Sequence, residues 1–324
     1  MVPWRDAWNE ALYGPGGFYR RAEGPAGHFT TSTHGPLGAV LAEALGRLAD
    51  RERATHVVDV GCGRGELLAH LHAARPDLRV TGVDVVDRPA SLPDAVEWVR
   101  APGGSGLPDA LHDLSDVLVV AHEWLDVVPC TVAEVVSPGH LAVVLVDPVT
   151  GTESLGGPPT PEEAAWCSRH WPVEGLAVGS RVEVGAARDA AWADLVARVR
   201  RGTLLAVDYG HTRGGRPAHG TLTAYRDGAL VAPVPDGSCD LTAHVAVDAL
   251  DHDEVTPQRT ALRDLGVVAR TPDVALARTD PAGYLAALAR SSAGAALTDP
   301  GGLGGFWWVL RRVPARVPPR VPRM

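Results

Sequence analysis

The stretch from His56 to Asp84 constrains the fold more than any other part of this chain. His56-Val57-Val58-Asp59-Val60 is an apolar run that breaks abruptly at Gly61. The glycine-spaced segment Gly61-Cys62-Gly63-Arg64-Gly65 follows, and then helical periodicity at Leu67, Leu68 and Leu71. After the turn Arg75-Pro76-Asp77, Arg79 to Asp84 reads as a second strand. Strand, helix and strand at this spacing make a βαβ unit. Val96 to Val99 and Asp116 to Ala121 extend the pattern, and the latter is apolar enough to be buried on both faces. The expectation is an α/β fold, a doubly wound Rossmann-like sheet with its ligand crevice at the carboxyl ends of the strands.

The glycine loop narrows the ligand. Glycines between a strand and a helix permit a tight turn and let the backbone approach a ligand at the helix N-terminus. The nicotinamide fingerprint G-x-G-x-x-G would need glycine at position 66, where this chain has Glu66. A carboxylate in the first helical turn repels a pyrophosphate. A ligand with an amino acid and a ribose but no phosphate removes that objection. Asp59, just before Gly61, Gly63 and Gly65, is placed to pair with an ammonium. Asp84, at the end of the second strand, is placed to accept both ribose hydroxyls. Together these residues point to S-adenosyl-L-methionine and to the class I methyltransferase fold. An ordinary tight turn flanked by solvated aspartates is the alternative.

Beyond Pro129 the pattern changes. Thr131 to Val136 and His140 to Val146, separated by Ser137-Pro138-Gly139, predict an antiparallel hairpin, and Pro161 to Trp171 a short helix. Trp192, Leu195, Val196 and Val199 lie at i, i+3, i+4 and i+7 on a helix over about 186–200. Thr203 to Asp208 predicts the next core strand. Leu241–Leu250 and Gln258–Leu265 are read as helices, and Phe306 to Leu310 as the closing strand. One catalytic domain is expected over 1–313, with an N-terminal cap over about 1–52. Substrate-covering insertions are expected over about 130–180 and 210–260, and a disordered Pro/Arg tail over 314–324.

The chain has 324 residues, 45% hydrophobic, enough to bury a sizeable core. It contains no lysine and no isoleucine, and one residue each of Asn and Gln, as expected of a GC-rich coding sequence. Five of its 30 arginines fall in the last segment, Arg311 to Met324, which has no acid. The body therefore carries 39 acids against 25 arginines. Such an acidic surface argues against nucleic-acid binding. The four cysteines are scattered without a C-x-x-C pair, and no basic-then-apolar leader opens the chain. No apolar run reaches the roughly 18–20 residues of a membrane span. A cytoplasmic protein is expected, without a metal site. His70 and His72 face different ways on a helix, and His244 and Asp248, at i and i+4, lack a third ligand.

A series of short motifs resembles the MidA-like family of S-adenosyl-L-methionine-dependent methyltransferases, relatives of a mitochondrial complex I assembly factor. They are Gly17-Phe18-Tyr19, Gly27-His28-Phe29-Thr30-Thr31, the glycine loop, His122-Glu123-Trp124-Leu125-Asp126-Val127-Val128-Pro129 and Arg181-Val182-Glu183-Val184. Asp208-Tyr209-Gly210, Gly220 to Tyr225 and Asp240-Leu241-Thr242-Ala243-His244-Val245 complete the series. The resemblance implies a Rossmann-like core with added covering segments, and methylation of a protein arginine in a respiratory complex I subunit. It alone places Thr30 and Thr31 at the cofactor. The chain departs from the family pattern at His28 (usually Asp), His122 (usually Asn) and Leu37-Gly38 (usually Phe-Gly).

His122, Glu123 and Asp126 follow the fourth strand and so belong at the crevice. Methyl transfer from a sulfonium is an in-line displacement, in which alignment and exclusion of water are the enzyme's main tasks. A guanidinium acceptor needs carboxylates that hold it through bidentate hydrogen bonds. Glu123 is the first candidate for that clamp and Asp126 the second, against packing at a strand end and capping of a following helix. His122 is the candidate general base, or else a partner of the backbone. Asp208 and Tyr209, ending the fifth strand, are candidate substrate-pocket residues. Two other functions remain open: a small-molecule O- or N-methyltransferase of secondary metabolism, and an assembly factor that keeps the fold without catalysis.

Overall fold

The structure is a computed structural model, and it describes residues 1–21 and 32–315. Seven strands form its central sheet: β1 (His56–Val60), β2 (Arg79–Asp84), β3 (Val96–Arg100), β4 (Leu114–His122), β5 (Val199–Asp208), β6 (Glu254–Pro257) and β7 (Trp307–Val313). Their spatial order is β3-β2-β1-β4-β5-β7-β6. The first five run parallel, whereas β7 is antiparallel to both β5 and β6. The order reverses between β1 and β4, which opens a crevice at their carboxyl ends.

Alternation along the strands decides which helices each face buries. Val57, Leu118, Val120, Leu205 and Val207 point to one side, against helices Gly35–Glu52, Glu66–Ala74 and Pro281–Thr298. Val58, Val60, Val119, Ala121, Leu204 and Ala206 point to the other, where Trp192 and Leu195 of helix Ala186–Ala197 cover them. This two-residue period is why β4 and β5 read as continuous apolar runs.

The hairpin Thr131–Ser137 and His140–Val146 forms as expected, and so does the helix Pro161–His170. The hairpin does not stand alone. Val2–Pro3, Glu153–Leu155 and Arg181–Val184 complete a five-stranded accessory sheet around it. Helix Trp4–Tyr13 packs Trp4, Trp8 and Leu12 against this sheet and against Leu241.

Two expectations are corrected. The stretch Leu241–Leu250 is not helical. Asp240–Thr242 pairs with Thr223–Tyr225, and Val245–Ala246 pairs with Gly210–His211. A four-residue spacing of apolar side chains satisfies a helix and a strand alike, and burial of Ala243 between Leu241 and Val245 belongs to the extended form. His244 and Asp248 therefore share no helix face, and Asp248 instead pairs with Arg216 at 2.6 Å. The closing strand also runs to Val313, so two of the five final arginines are structural. Arg311 pairs with Asp251 and Asp253, and Arg312 with Glu52. Residues 316–324 lie outside the described residues. Among those described, no helix is long and apolar enough to cross a membrane.

Candidate active site

A cavity of about 610 Å³ opens at the carboxyl ends of β1, β2 and β4, at the reversal of strand order. One end is built by the glycine loop. Gly61 and Gly63 take positive φ values of 73° and 60°, and an added Cβ at Gly61 would stand 3.0 Å from the Trp124 ring. The loop backbone thereby stays open to the cavity. Gly65, also at positive φ, lies against Leu92 and starts the helix Glu66–Ala74; it shapes the turn and does not line the cavity.

Two carboxyl groups flank this loop. Asp84 accepts hydrogen bonds from Gly63 N (2.8 Å, Oδ2) and Val86 N (3.2 Å, Oδ1). Burial nevertheless raises its pKa to about 6, the two N–H groups offsetting only part of the cost. Asp59 is 3% exposed, and its Oδ1 has no partner among the described residues. Burial first, then the charges of Asp84 and Glu66, hold its carboxyl well above the usual range. A buried carboxyl oxygen with no donor suits a cationic group. The fit to S-adenosyl-L-methionine rests on these features: an open backbone, a cavity-lining carboxylate at Asp84 and an unsatisfied oxygen at Asp59. Thr30 and Thr31 lie outside the described residues.

The other end follows β4 and β5. Glu123 sits at φ 53°, a conformation uncommon for a residue with a Cβ, and its N–H bonds to Val207 O at 2.8 Å. That twist turns the carboxyl into the cavity. Tyr209 donates to Glu123 Oε2 (2.6 Å) and Ser32 to Oε1 (3.3 Å), while burial raises the pKa. His122 is buried beside it. Its Nε2 lies 3.1 Å from Ser32 Oγ and its Nδ1 3.3 Å from Glu123 Oε1. Desolvation lowers its pKa to about 4, so the ring is neutral and a weak base at neutral pH.

Asp126 caps no helix. Its Oδ2 accepts from Thr242 Oγ1 at 2.7 Å, its Oδ1 is buried without a donor among the described residues, and the residue lines the cavity. Asp208 is 1% exposed and does not line the cavity. It stands behind Asp126, accepting from Leu125 N, and the two carboxyls meet. Burial raises both pKa values, Asp208 the further; the Glu123 charge adds to the rise at Asp126 and the Asp126 charge to that at Asp208. Tyr209 lines the cavity and packs edge-on against Phe306, with ring centroids 4.4 Å apart.

Sequence reasoning assigned no site role to four residues that matter here. Asp240 and Tyr19 line the same cavity, joined at 2.7 Å through the phenol and Oδ1, and Tyr13 stacks on Tyr19. Arg188 is buried beneath the loop after β4, donating to the carbonyls of Asp126, Val128 and His244. Asp240 and Tyr19 stood within recognised motifs, but their convergence from 221 residues apart has no local signature.

A family profile described as S-adenosyl-L-methionine-dependent methyltransferase matches residues 37–263, well over half of the chain. No curated protein matches significantly. Among solved structures, the chain is similar to a Burkholderia thailandensis protein, regarded as a methyl transferase and bound to S-adenosyl-homocysteine. The identity is 24% over 95% of this chain and 87% of that one, with a TM-score of 0.71. A native structure of an uncharacterised protein from the same organism gives 24% identity over 96% and 87%, with a TM-score of 0.72. These likenesses carry the fold, and the profile carries the family. With the strand order, the glycine cradle and the paired acids, they establish this chain as a MidA-like member of the class I S-adenosyl-L-methionine-dependent methyltransferases.

Proposed function

We propose that this methyltransferase acts on the guanidinium of a protein arginine, with Glu123 as the clamp. The observation that carries this reading is the excess of carboxyls at the acceptor end. Glu123, Asp126 and Asp240 line the cavity, and Asp208 lies behind them. Arg188 directs its donors to backbone carbonyls, so no carboxyl there is paired with it directly. Such a site lowers its free energy by admitting a cation.

The cofactor supplies an electrophilic methyl group. Asp59 would hold its ammonium, Asp84 its ribose hydroxyls, and the backbone of Gly61 and Gly63 would bind it, with Thr30 and Thr31 added by the family resemblance. Glu123 accepts two guanidinium N–H bonds on lone pairs not engaged by Tyr209 and Ser32. Positive charge then gathers on the non-reacting nitrogens. To the reacting nitrogen the bound cofactor would supply its methyl group by in-line displacement, with S-adenosyl-homocysteine as the leaving group. The nitrogen then sheds a proton, and Glu123, its pKa raised by burial, is the adjacent acceptor. Asp126 supports the guanidinium as the second carboxyl. His122, neutral, donates from Nε2 to Ser32, whose hydroxyl in turn donates to Glu123 and fixes its carboxyl. Tyr209 orients Glu123, and Asp208 orients Asp126. Four free cysteines support a cytoplasmic setting.

The aromatic walls formed by Tyr13, Tyr19, Tyr209 and Phe306 favour a second reading, a small cationic acceptor. Incubating cell extract with methyl-labelled cofactor separates the two. Label on arginine of a protein band supports the first, and label confined to small metabolites overturns it.

A further inference from the structure

One guanidinium does not use all the carboxyls at this end of the cavity. The strand Asp240–Thr242 places the side chains of Asp240 and Thr242 on one face, about 7 Å apart. Thr242 grips Asp126 Oδ2 at 2.7 Å, so Asp126 and Asp240 are neighbours on the wall. Asp126 is 2% exposed, and its carboxyl also meets that of Asp208. Asp240 is held by the Tyr19 hydroxyl, and the Tyr13 ring stacks on Tyr19 with centroids 5.5 Å apart. A carboxylate beside two aromatic rings is a cation-recognition arrangement, because the ring faces and the carboxylate both attract positive charge.

We propose that Asp240, Tyr19 and Tyr13 form a second cation subsite, so that the acceptor carries a further ammonium or guanidinium beside the one held at Glu123. This rests on the arginine reading given above and narrows its substrate class to dicationic segments or molecules. Burial raises the Asp240 pKa to about 8, so in the free protein this carboxyl is mostly neutral near pH 7 and becomes charged as a cation arrives. A purely structural Tyr19–Asp240 bond would leave cation selectivity untouched by changes at Asp240.

Calorimetry with paired probes tests the subsite without turnover. Agmatine and n-butylguanidine share a guanidinium on a four-carbon chain and differ only by the terminal ammonium. At a pH above 8, the full-length protein should bind agmatine about tenfold more tightly or better. Asp240→Asn should bring the two affinities together, and Tyr19→Phe should reduce their ratio by a few-fold with the fold intact by circular dichroism. Equal affinity in the unmodified protein, binding of neither probe, or a preference that survives in Asp240→Asn overturns the subsite. Failure to methylate arginyl peptides would instead overturn the arginine reading, and the probe ratio remains readable in that case.

Discussion

Tyr209 donates its phenol to Glu123 Oε2 across 2.6 Å and so joins the end of β5 to the end of β4. The bond fixes a carboxylate whose own backbone, at φ 53°, already turns it toward the cavity. The position of this carboxyl is thus determined twice, once by its own backbone and once by a neighbouring strand.

Glu123→Gln keeps the shape and removes the charge. Methyl transfer to arginyl acceptors should fall roughly 100-fold or more, the scale expected on losing one charge-aligned contact in a water-poor site. Cofactor affinity should stay within about twofold, as read by calorimetry. Tyr209→Phe should lose about tenfold. Unchanged transfer in Glu123→Gln would remove the clamp from the mechanism.

Cofactor binding should weaken in acid. With a pKa raised to about 6, Asp84 is protonated progressively below that pH and then accepts ribose hydroxyls poorly. The dissociation constant for S-adenosyl-homocysteine should rise as pH falls from about 6.5 to 5, by up to about tenfold per unit. Asp84→Asn should bind weakly at all these values and lose the part of the pH dependence that Asp84 supplies.

Asp240 should make the protein less stable in base. Its folded pKa, about 8, lies above that of the unfolded chain. The folded state therefore binds more protons than the unfolded one between the two values. Stability from this group is complete below about pH 4 and is lost as pH rises through 8. Asp240→Asn, measured against the unmodified protein by thermal melts, should gain in melting temperature at pH 9 relative to pH 5. A gain that is equal at both values would show that the carboxyl does not titrate in the fold.

Arg188 holds three carbonyls of two loops from within the protein and lies 5.7 Å from the Trp8 ring. Arg188→Ala leaves those acceptors unmet in a buried setting. A loss of about 3 kcal/mol or more is expected in urea unfolding, with proteolysis starting near the loop after β4.

Much of this fold is legible in local sequence. The His56–Asp84 unit, the Thr131–Val146 hairpin and the stripe at Trp192 and Leu195 each bury one face of one element, and burial of a face leaves a period. The helices Gly35–Glu52 and Pro281–Thr298 went unassigned, although Val40, Leu41, Ala44, Leu45 and Leu48 carry a helical spacing. The Ala-rich Pro281–Thr298 shows little contrast between its faces, so its period is weak. Leu241–Leu250 is ambiguous for the opposite reason, since its spacing fits two periods and only pairing with Thr223–Tyr225 selects the strand.

The residues proposed for the cofactor are legible in the chain alone. Asp59, the glycines and Asp84 lie within 26 residues of one another, and their chemistry follows from spacing along one strand–turn–helix–strand unit. The other side of the cavity is assembled only by tertiary contacts. There Tyr13 and Tyr19 from the first residues, Glu123 and Asp126 from the middle, and Asp240 and Thr242 from a late strand meet around one cavity. Contacts between residues so far apart depend on strand order and register, which no local pattern of side chains encodes.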